Sequence, residues 1–331
     1  MQTQICEING QSLKMAKHIL ESEGAVAFPT ETVYGLGGDA RSDAAVAKIY
    51  EIKGRPSDNP LIVHVHKDYD ITQLIYDEQT YAAALRKAFL PGPLTLVYNS
   101  KGRVSSKVSC GLNTLAIRVP SHVGAQRFLR YVDMPIAAPS ANISKHISPV
   151  SAQHVYEDLQ GRIELILDGG RCSGGIESTV CDVTGEYPVV LRAGLISVEM
   201  IASVVGRCEI YIPRGGEQVR SPGMKYKHYA PHCKTRLFDA SELPLAVFEF
   251  ERLSVEGGKI YVLCSEDIKN KFPADRVLNL GKTEHEMAAN LYELLHEGEK
   301  CAETIIAILP KKKDGVMAGV INRLSKACAD K

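Results

Sequence analysis

Four cations in this 331-residue chain stand where apolar runs begin or end: Lys53 and Arg55 just before LIVHV, Arg118 in LAIRV, and Arg192 in VVLR. Hydroxyl and amide side chains recur at the same kind of junction, in PTETVYGLG, KGRPSDNPLIVHV, NTLAIRVP, AAPSAN, GGIESTV and LRAG. An open α/β sheet collects ligand groups where its strands meet their loops. Guanidinium and ammonium groups drawn inward at such places need counter-charges, and a bound triphosphate supplies them through charge-assisted hydrogen bonds. Turn chemistry alone favours Pro, Asn, Ser and Gly in loops, so no single segment decides the matter. The recurrence of cations does.

Other chemistries fit less well. Gly35-Leu36-Gly37-Gly38-Asp39-Ala40 matches the dinucleotide fingerprint, but PTETVY separates it from the preceding strand and the loop RPSDNP stands where an acidic strand end is required. A G-x-x-x-x-G-K-[ST] phosphate loop is absent from the sequence, and His285-Glu286 lacks the histidine at position 289 that a zinc helix needs. His228 and His232 share i, i+4 spacing but sit among prolines, where helix is unexpected. Ser178, in IEST, lacks the glycine elbow of a hydrolase nucleophile. No metal ligands are assigned.

The elements that must position these residues alternate in type. Residues 12–23 read as an amphipathic helix and AVAF (25–28) as a buried strand; Ser42 caps a helix ended by Gly54. LIVHV, LTLVY, TLAIRV, PIAA, LILD, STVCDV and PVVLR read as strands, with Ser121 and Ser151 as caps of further helices. Between 206 and 233 the composition turns to Gly, Pro and cations without period, which marks a linker. Beyond it, helical patterns at 245–254 and 284–297, a closing helix VMAGVINRLSKA and the strands KIYVLCS, RVLNL and TIIAIL predict a compact βαβ-type unit. The expected division is therefore a mixed α/β domain over 1–206, a linker over 207–233 and a smaller α/β domain over 234–331.

Lys plus Arg equal Asp plus Glu at 39 each, so no whole-molecule field draws the chain to nucleic acid or membrane. Nine dispersed cysteines without a C-x-x-C pair are expected to be reduced thiols. The sequence carries no run of membrane-spanning length and no leader-like apolar core at MQTQICEINGQSLK, which predicts a cytoplasmic protein with no membrane partner.

PTETVYGLG, KGRPSDNPLIVHV, LPGPLT, AIRVPSH, APSANISKHISP, ESTVCDV and LRAG, in that order, resemble the L-threonylcarbamoyladenylate synthase family with its YrdC-type domain. SPGMKYKHYAPHC and the C-terminal region resemble its long, two-domain form. The resemblance implies a YrdC-like twisted mixed sheet with a concave site, followed by a Rossmann-like α/β domain. It implies that Thr32, His64, Arg118, Ala138 and Ser178 contact L-threonine, with Arg118 on its carboxylate. It implies that Lys53, Arg55, Asn59, Thr114, Ser140, Ser148 and Arg192 hold ATP, and that the linker closes over it with Tyr226 and His228. A histidine inside an apolar strand also reads as a core residue, and Thr114 also as a strand start, so both readings stay open for these two. The implied reaction joins ATP, L-threonine and bicarbonate or CO₂, with Mg²⁺ accompanying the triphosphate. Its product would pass to a tRNA threonylcarbamoyl transferase complex. Weak RNA contact, or an RNA-binding module without adenylation activity, is the alternative.

Overall fold

The computed structural model describes residues 2–212 and 229–329; Tyr226 and His228 lie outside them. The first sheet and its helices comprise β1 (Gln4–Glu7), α1 (Gly10–Glu21), β2 (Val26–Phe28), β3 (Gly35–Asp39), α2 (Asp43–Lys53), β4 (Ile62–His64), α3 (Thr80–Phe89), β5 (Leu94–Asn99), α4 (Ser106–Ser109) and β6 (Thr114–Arg118). They continue with α5 (Val123–Val132), β7 (Ile136–Ala138), α6 (Ala152–Leu159), β8 (Leu165–Asp168), β9 (Thr179–Asp182), β10 (Val189–Arg192), α7 (Val198–Val205) and β11 (Glu209–Ile210). The strands form one mixed sheet in the order β1-β8-β2-β3-β7-β4-β6-β5-β9-β10-β11. A second sheet is built from β12 (Lys234–Phe238), β13 (Ile260–Cys264), β14 (Val277–Asn279) and β15 (Thr304–Ile308), with α8 (Leu243–Val255), α9 (Glu284–Cys301) and α10 (Val316–Ala327). It is parallel throughout, in the order β12-β15-β13-β14.

The structure departs from the sequence reading at several points. GLGGD, where the sequence reading places no strand, forms β3 and pairs antiparallel with β2 and β7. Its glycines make room for a ring: a Cβ on Gly37 would stand 2.6 Å from Ile136 Cγ2 and 2.9 Å from the Phe28 ring. Helix α5 is capped by His122, whose Nδ1 accepts from the Ala125 amide, and not by Ser121. Helix α3 begins with no capping side chain, so nothing in the sequence announced its start.

The hydrophobic core does not stop at the linker. One continuous cluster runs from Val33, Tyr34 and Ile176 in the first unit to Tyr292, Leu291, Val320 and Leu324 in the second. Met287, Leu291 and Leu295 of α9 are buried as their spacing predicts, and Leu294 is partly buried. Among the described residues no helix is long and apolar enough to cross a membrane.

Candidate active site

The sheet register builds the cleft. β4 and β6 run parallel with His64 opposite Arg118 and Ile62 opposite Ala116, and β7 lies antiparallel with Ala138 opposite Ile62. Side chains alternate along strands, so Ile62, Ala116 and Ala138 form a shallow floor from which His64 and Arg118 rise at one end. β10 closes the other side. Its register against β9 shifts between Val190 and Arg192, a bulge that re-aims a side chain. Arg192 thereby donates through Nε and Nη2 to the Ser178 carbonyl at 3.1 and 2.9 Å. The segment after β10 must pass close: a Cβ on Gly194 would lie 2.5 Å from the Thr179 amide nitrogen.

The result is a single cleft. Thr32, Arg55, His64, Arg118, Ala138, Ser140, Ser148, Ser178 and Arg192 all line it. Three residues expected at the nucleotide are placed differently. Lys53 is buried, and its ammonium donates to the Ser140 carbonyl at 2.6 Å and to the Asn142 carbonyl and side chain. It props the Ser140–Asn142 loop from beneath, and burial holds its pKa well below the usual lysine value. Asn59 is fully buried next to the lining residue Pro60, with both amide atoms lacking a hydrogen-bond partner among the described residues. Thr114 opens β6 on the face that carries Arg118, but four residues back, about 13 Å along the strand.

Around Arg118 the hydrogen bonds have a direction. Its Nη1 donates to Thr32 Oγ1 at 2.8 Å, Thr30 Oγ1 lies 2.9 Å from Thr32 Oγ1, and Thr30 donates to the Val33 carbonyl at 2.6 Å. Thr30 spends its single proton on that carbonyl, so Thr32 donates to Thr30 and accepts from Arg118. Glu31 Oε1 stands 2.8 Å from Arg118 Nη2, yet off the hydrogen-bond axis, so both atoms keep unspent hydrogen-bonding capacity. Arg55 likewise keeps a buried Nε without a partner among the described residues, while its Nη2 donates to the Asn59 and Pro60 carbonyls at 3.2 Å. Buried donors and acceptors are normally satisfied; a cluster of exceptions facing one cleft is what a ligand-binding site leaves open.

His64 Nδ1 lies 3.2 Å from the Ile62 carbonyl, so this nitrogen carries the proton and Nε2 is left as an acceptor. Burial first, and Arg118 second, push its pKa down to about 3. A histidine held neutral in the fold takes up a proton on unfolding, so its contribution is present above about pH 6.5 and is lost as pH falls from there towards 3. Between pH 7 and pH 5 this amounts to about 2 kcal/mol. Denaturant titrations at the two pH values should show that difference shrink in His64→Gln; an unchanged slope would contradict a neutral, buried imidazole.

The second domain reaches the cleft through Glu177, which lines it. Its carboxylate accepts from Ser148 Oγ at 2.6 Å, Tyr292 OH at 2.9 Å and Arg323 Nε at 3.0 Å. Although burial opposes ionisation, Arg323 and Arg192 hold its pKa down to about 2. Arg323 is itself wholly buried and also donates from Nη1 to the Ala193 carbonyl at 2.5 Å. Tyr229, within the linker and the first residue described beyond 212, lines the cleft and stacks at a tilt on Tyr292, with centroids 5.3 Å apart. Glu31 and Glu177 lay inside PTETV and GGIESTV without being singled out. Arg323 had a readable signal: it shares a helical face with Val316, Val320, Leu324 and Ala327.

Fold and cleft together define a two-domain α/β ligand-binding protein with a cationic cleft at its strand ends. A family model described as "Telomere recombination", covering Sua5, YciO and YrdC, matches residues 18–194, and one described as "Threonylcarbamoyl-AMP synthase, C-terminal domain" matches 196–329. The chain belongs to the Sua5–YciO–YrdC family, in the long form that carries the Sua5 C-terminal domain. A threonylcarbamoyl-AMP synthase of Pyrococcus abyssi is 40% identical over 321 residues, 95% of this chain and 93% of the relative. One of Bacillus subtilis is 40% identical over 327 residues, 96% and 93% respectively. The crystal structure of Pyrococcus abyssi Sua5 complexed with L-threonine superposes with a TM-score of 0.90 at 37% identity, covering 98% of each chain. Escherichia coli YciO shares the fold of the first unit at a TM-score of 0.51 and 22% identity, over 57% of this chain and 95% of YciO.

Proposed function

We propose that this chain is a threonylcarbamoyl-AMP synthase, converting ATP, L-threonine and bicarbonate or CO₂ to L-threonylcarbamoyladenylate and pyrophosphate. The observation that carries this reading is the convergence of Arg55, Arg118 and Arg192 on one cleft that also holds Thr32, His64 and Ser178. Arg118 pairs with the threonine carboxylate through its planar fork, while Thr32, neutral His64 and Ser178 offer oxygen and nitrogen acceptors to the hydroxyl and amine. Arg55, Arg192, Ser140 and Ser148 face the nucleotide, with Asn59 next to Pro60, Thr114 further along the Arg118 face of β6, and Lys53 holding the Ser140–Asn142 loop in place.

Threonine's amine and bicarbonate first combine with loss of water to an N-carboxylate. One of its oxygens then attacks the α-phosphorus of ATP, and the bond to the β-phosphate oxygen breaks as pyrophosphate departs. The nucleophile is already an anion, so no general base is needed; positioning two anions and neutralising the charge that builds in the transition state is the work the arginines do. The lining carboxylate of Glu177 is committed to Ser148, Tyr292 and Arg323. A Mg²⁺ ion arriving with ATP would therefore be held by phosphate oxygens and water, where it would neutralise phosphate charge. The product is chemically suited to a tRNA threonylcarbamoyl transferase complex in the cytoplasm, and the tRNA is met by that complex.

Purified protein with ATP, Mg²⁺, L-threonine and bicarbonate is expected to release pyrophosphate. Leaving out threonine or bicarbonate should reduce the release to background. Pyrophosphate formation indifferent to either substrate would sink the assignment.

A further inference from the structure

Four histidines gather where the chain leaves the linker and meets both domains. His146 stacks on His232 with ring centroids 4.4 Å apart, His154 stacks on His296 at 3.8 Å, and His146 meets His296 edge-on at 5.6 Å. The cleft reaction uses none of them. Ligand-capable atoms of His146, His232 and Glu299 all lie within 4.8 Å of one another. Around a tetrahedral ion with bonds of 2.0–2.2 Å such atoms stand about 3.4 Å apart: rotation of the exposed His232 ring can bring its nitrogen to that distance, while His146 Nε2 and Glu299, now 2.9 Å apart, would open slightly to admit the ion.

Three further observations point to a cation. First, Asp158 holds His146 Nδ1 at 2.8 Å and turns Nε2 towards Glu299, 2.9 Å away. A carboxylate on the far nitrogen is how metal-binding imidazoles are oriented and made more basic. Second, His296 Nε2 lies 3.3 Å from the Ser148 carbonyl and donates to it, which turns Nδ1 towards Glu299. That nitrogen is buried, makes no hydrogen bond among the described residues, and stands 3.4 Å from Glu299 Oε1. Third, Asp158 and Glu299 bring two negative charges to a place where each side chain is only 9% exposed. A dication on neutral imidazoles would balance both.

We propose that His146, His232 and Glu299 bind a divalent transition-metal ion of the Zn²⁺ class, which fastens the end of the linker to both domains at once. Two imidazoles and one carboxylate suit Zn²⁺ or Co²⁺ and are a poor set for Mg²⁺, which prefers oxygen ligands. This site is separate from the metal that accompanies ATP, and its occupancy does not depend on the reaction assigned to the cleft. His146 comes from the first domain, Glu299 from α9, and His232 from the stretch before β12; the ion would therefore tie together three segments that are far apart in sequence.

The test uses the full chain stripped with EDTA and titrated with Co²⁺. One equivalent is expected to bind with the d–d absorption of a nitrogen- and oxygen-ligated ion and without a thiolate charge-transfer band, and Zn²⁺ should displace it and raise the Tm. His232→Ala, at an exposed position, should weaken Co²⁺ binding at least about tenfold and abolish the Zn²⁺-dependent rise in Tm. Asp158→Asn should weaken it by about 10- to 100-fold through the lost orientation of His146. Equal Co²⁺ binding by His232→Ala and wild type, a thiolate-dominated spectrum, or no saturable binding at all would overturn the proposal. The last result would leave His146 as a proton-bearing bridge between two carboxylates.

Discussion

Arg118→Ala is expected to weaken L-threonine binding by about a hundredfold or more, with ATP binding in the absence of threonine changed far less. Truncating one member of a buried charged pair costs about 2–5 kcal/mol, and each 1.4 kcal/mol is a factor of ten. The size follows from where Arg118 sits. It is 3% exposed, already donates to Thr32, and keeps an Nη2 donor that its neighbour Glu31 does not engage along the bond axis. An incoming carboxylate meets a fork that is held in place and only partly spent, so little ordering is needed on binding. Arg118→Lys should restore little, because a single ammonium cannot reach both Thr32 and a substrate carboxylate in fixed geometry. Calorimetric titration with threonine measures this directly, and an affinity within about threefold of wild type would remove Arg118 from its assigned role. Thermal melts of both variants would separate this from the cost of leaving Glu31 without its cation.

Arg323→Ala should destabilise the protein by about 3–5 kcal/mol, because it strips a buried carboxylate of its cation. The expectation is large for a residue that touches no substrate. Glu177 depends on Arg323, Tyr292 and Ser148, and Arg323 also holds the Ala193 carbonyl next to Arg192. Losing it should therefore loosen two walls of the cleft together, and the KM for ATP should rise along with the fall in stability. Removing both charges, as Glu177→Gln with Arg323→Met, should recover much of the stability, since replacing a buried pair by neutral groups is often neutral or better. It should not recover ATP affinity, which needs Ser148 and Arg192 in place. If Arg323→Ala melted like wild type, the contact between the C-terminal domain and the cleft would be ornamental. If the double variant regained full activity, the positioning role given to this pair would fail.

The same pair bridges the two parts of this 331-residue chain on either side of the linker. Its hydrophobic core is continuous across the boundary, and the polar contacts at the centre of that boundary end on a residue lining the cleft. The C-terminal domain thus contributes to the site by holding Glu177, and it needs no ligand of its own to matter for the chemistry.

Much of this was legible along the chain. Periodicity placed β4, β5, β6, β7 and, in the second sheet, β13, β14 and β15, because buried strands and amphipathic helices carry their own pattern; the edge strand β12, only partly buried, was not read. The cations Arg55, Arg118 and Arg192 stood out because a charge at the end of an apolar run is costly without a ligand or partner. Other features have no local signature. β3 is a glycine-rich segment held as a strand by its pairing with β2 and β7, its glycines leaving room for the Phe28 ring. Lys53 looked like a phosphate ligand by position, yet its ammonium is taken by the carbonyls of a loop nearly ninety residues away. Glu31 and Glu177 were hidden in motifs because their importance comes from partners: Arg118 for one, Arg323 and Tyr292 for the other. The amino-acid order alone thus determined which residue types stand at which strand ends, since that depends only on local pattern. Which of those groups share a cleft, and which are already satisfied by a distant carbonyl or carboxylate, was decided by the tertiary structure, because hydrogen bonds and ion pairs act over a few ångströms of space regardless of separation along the chain.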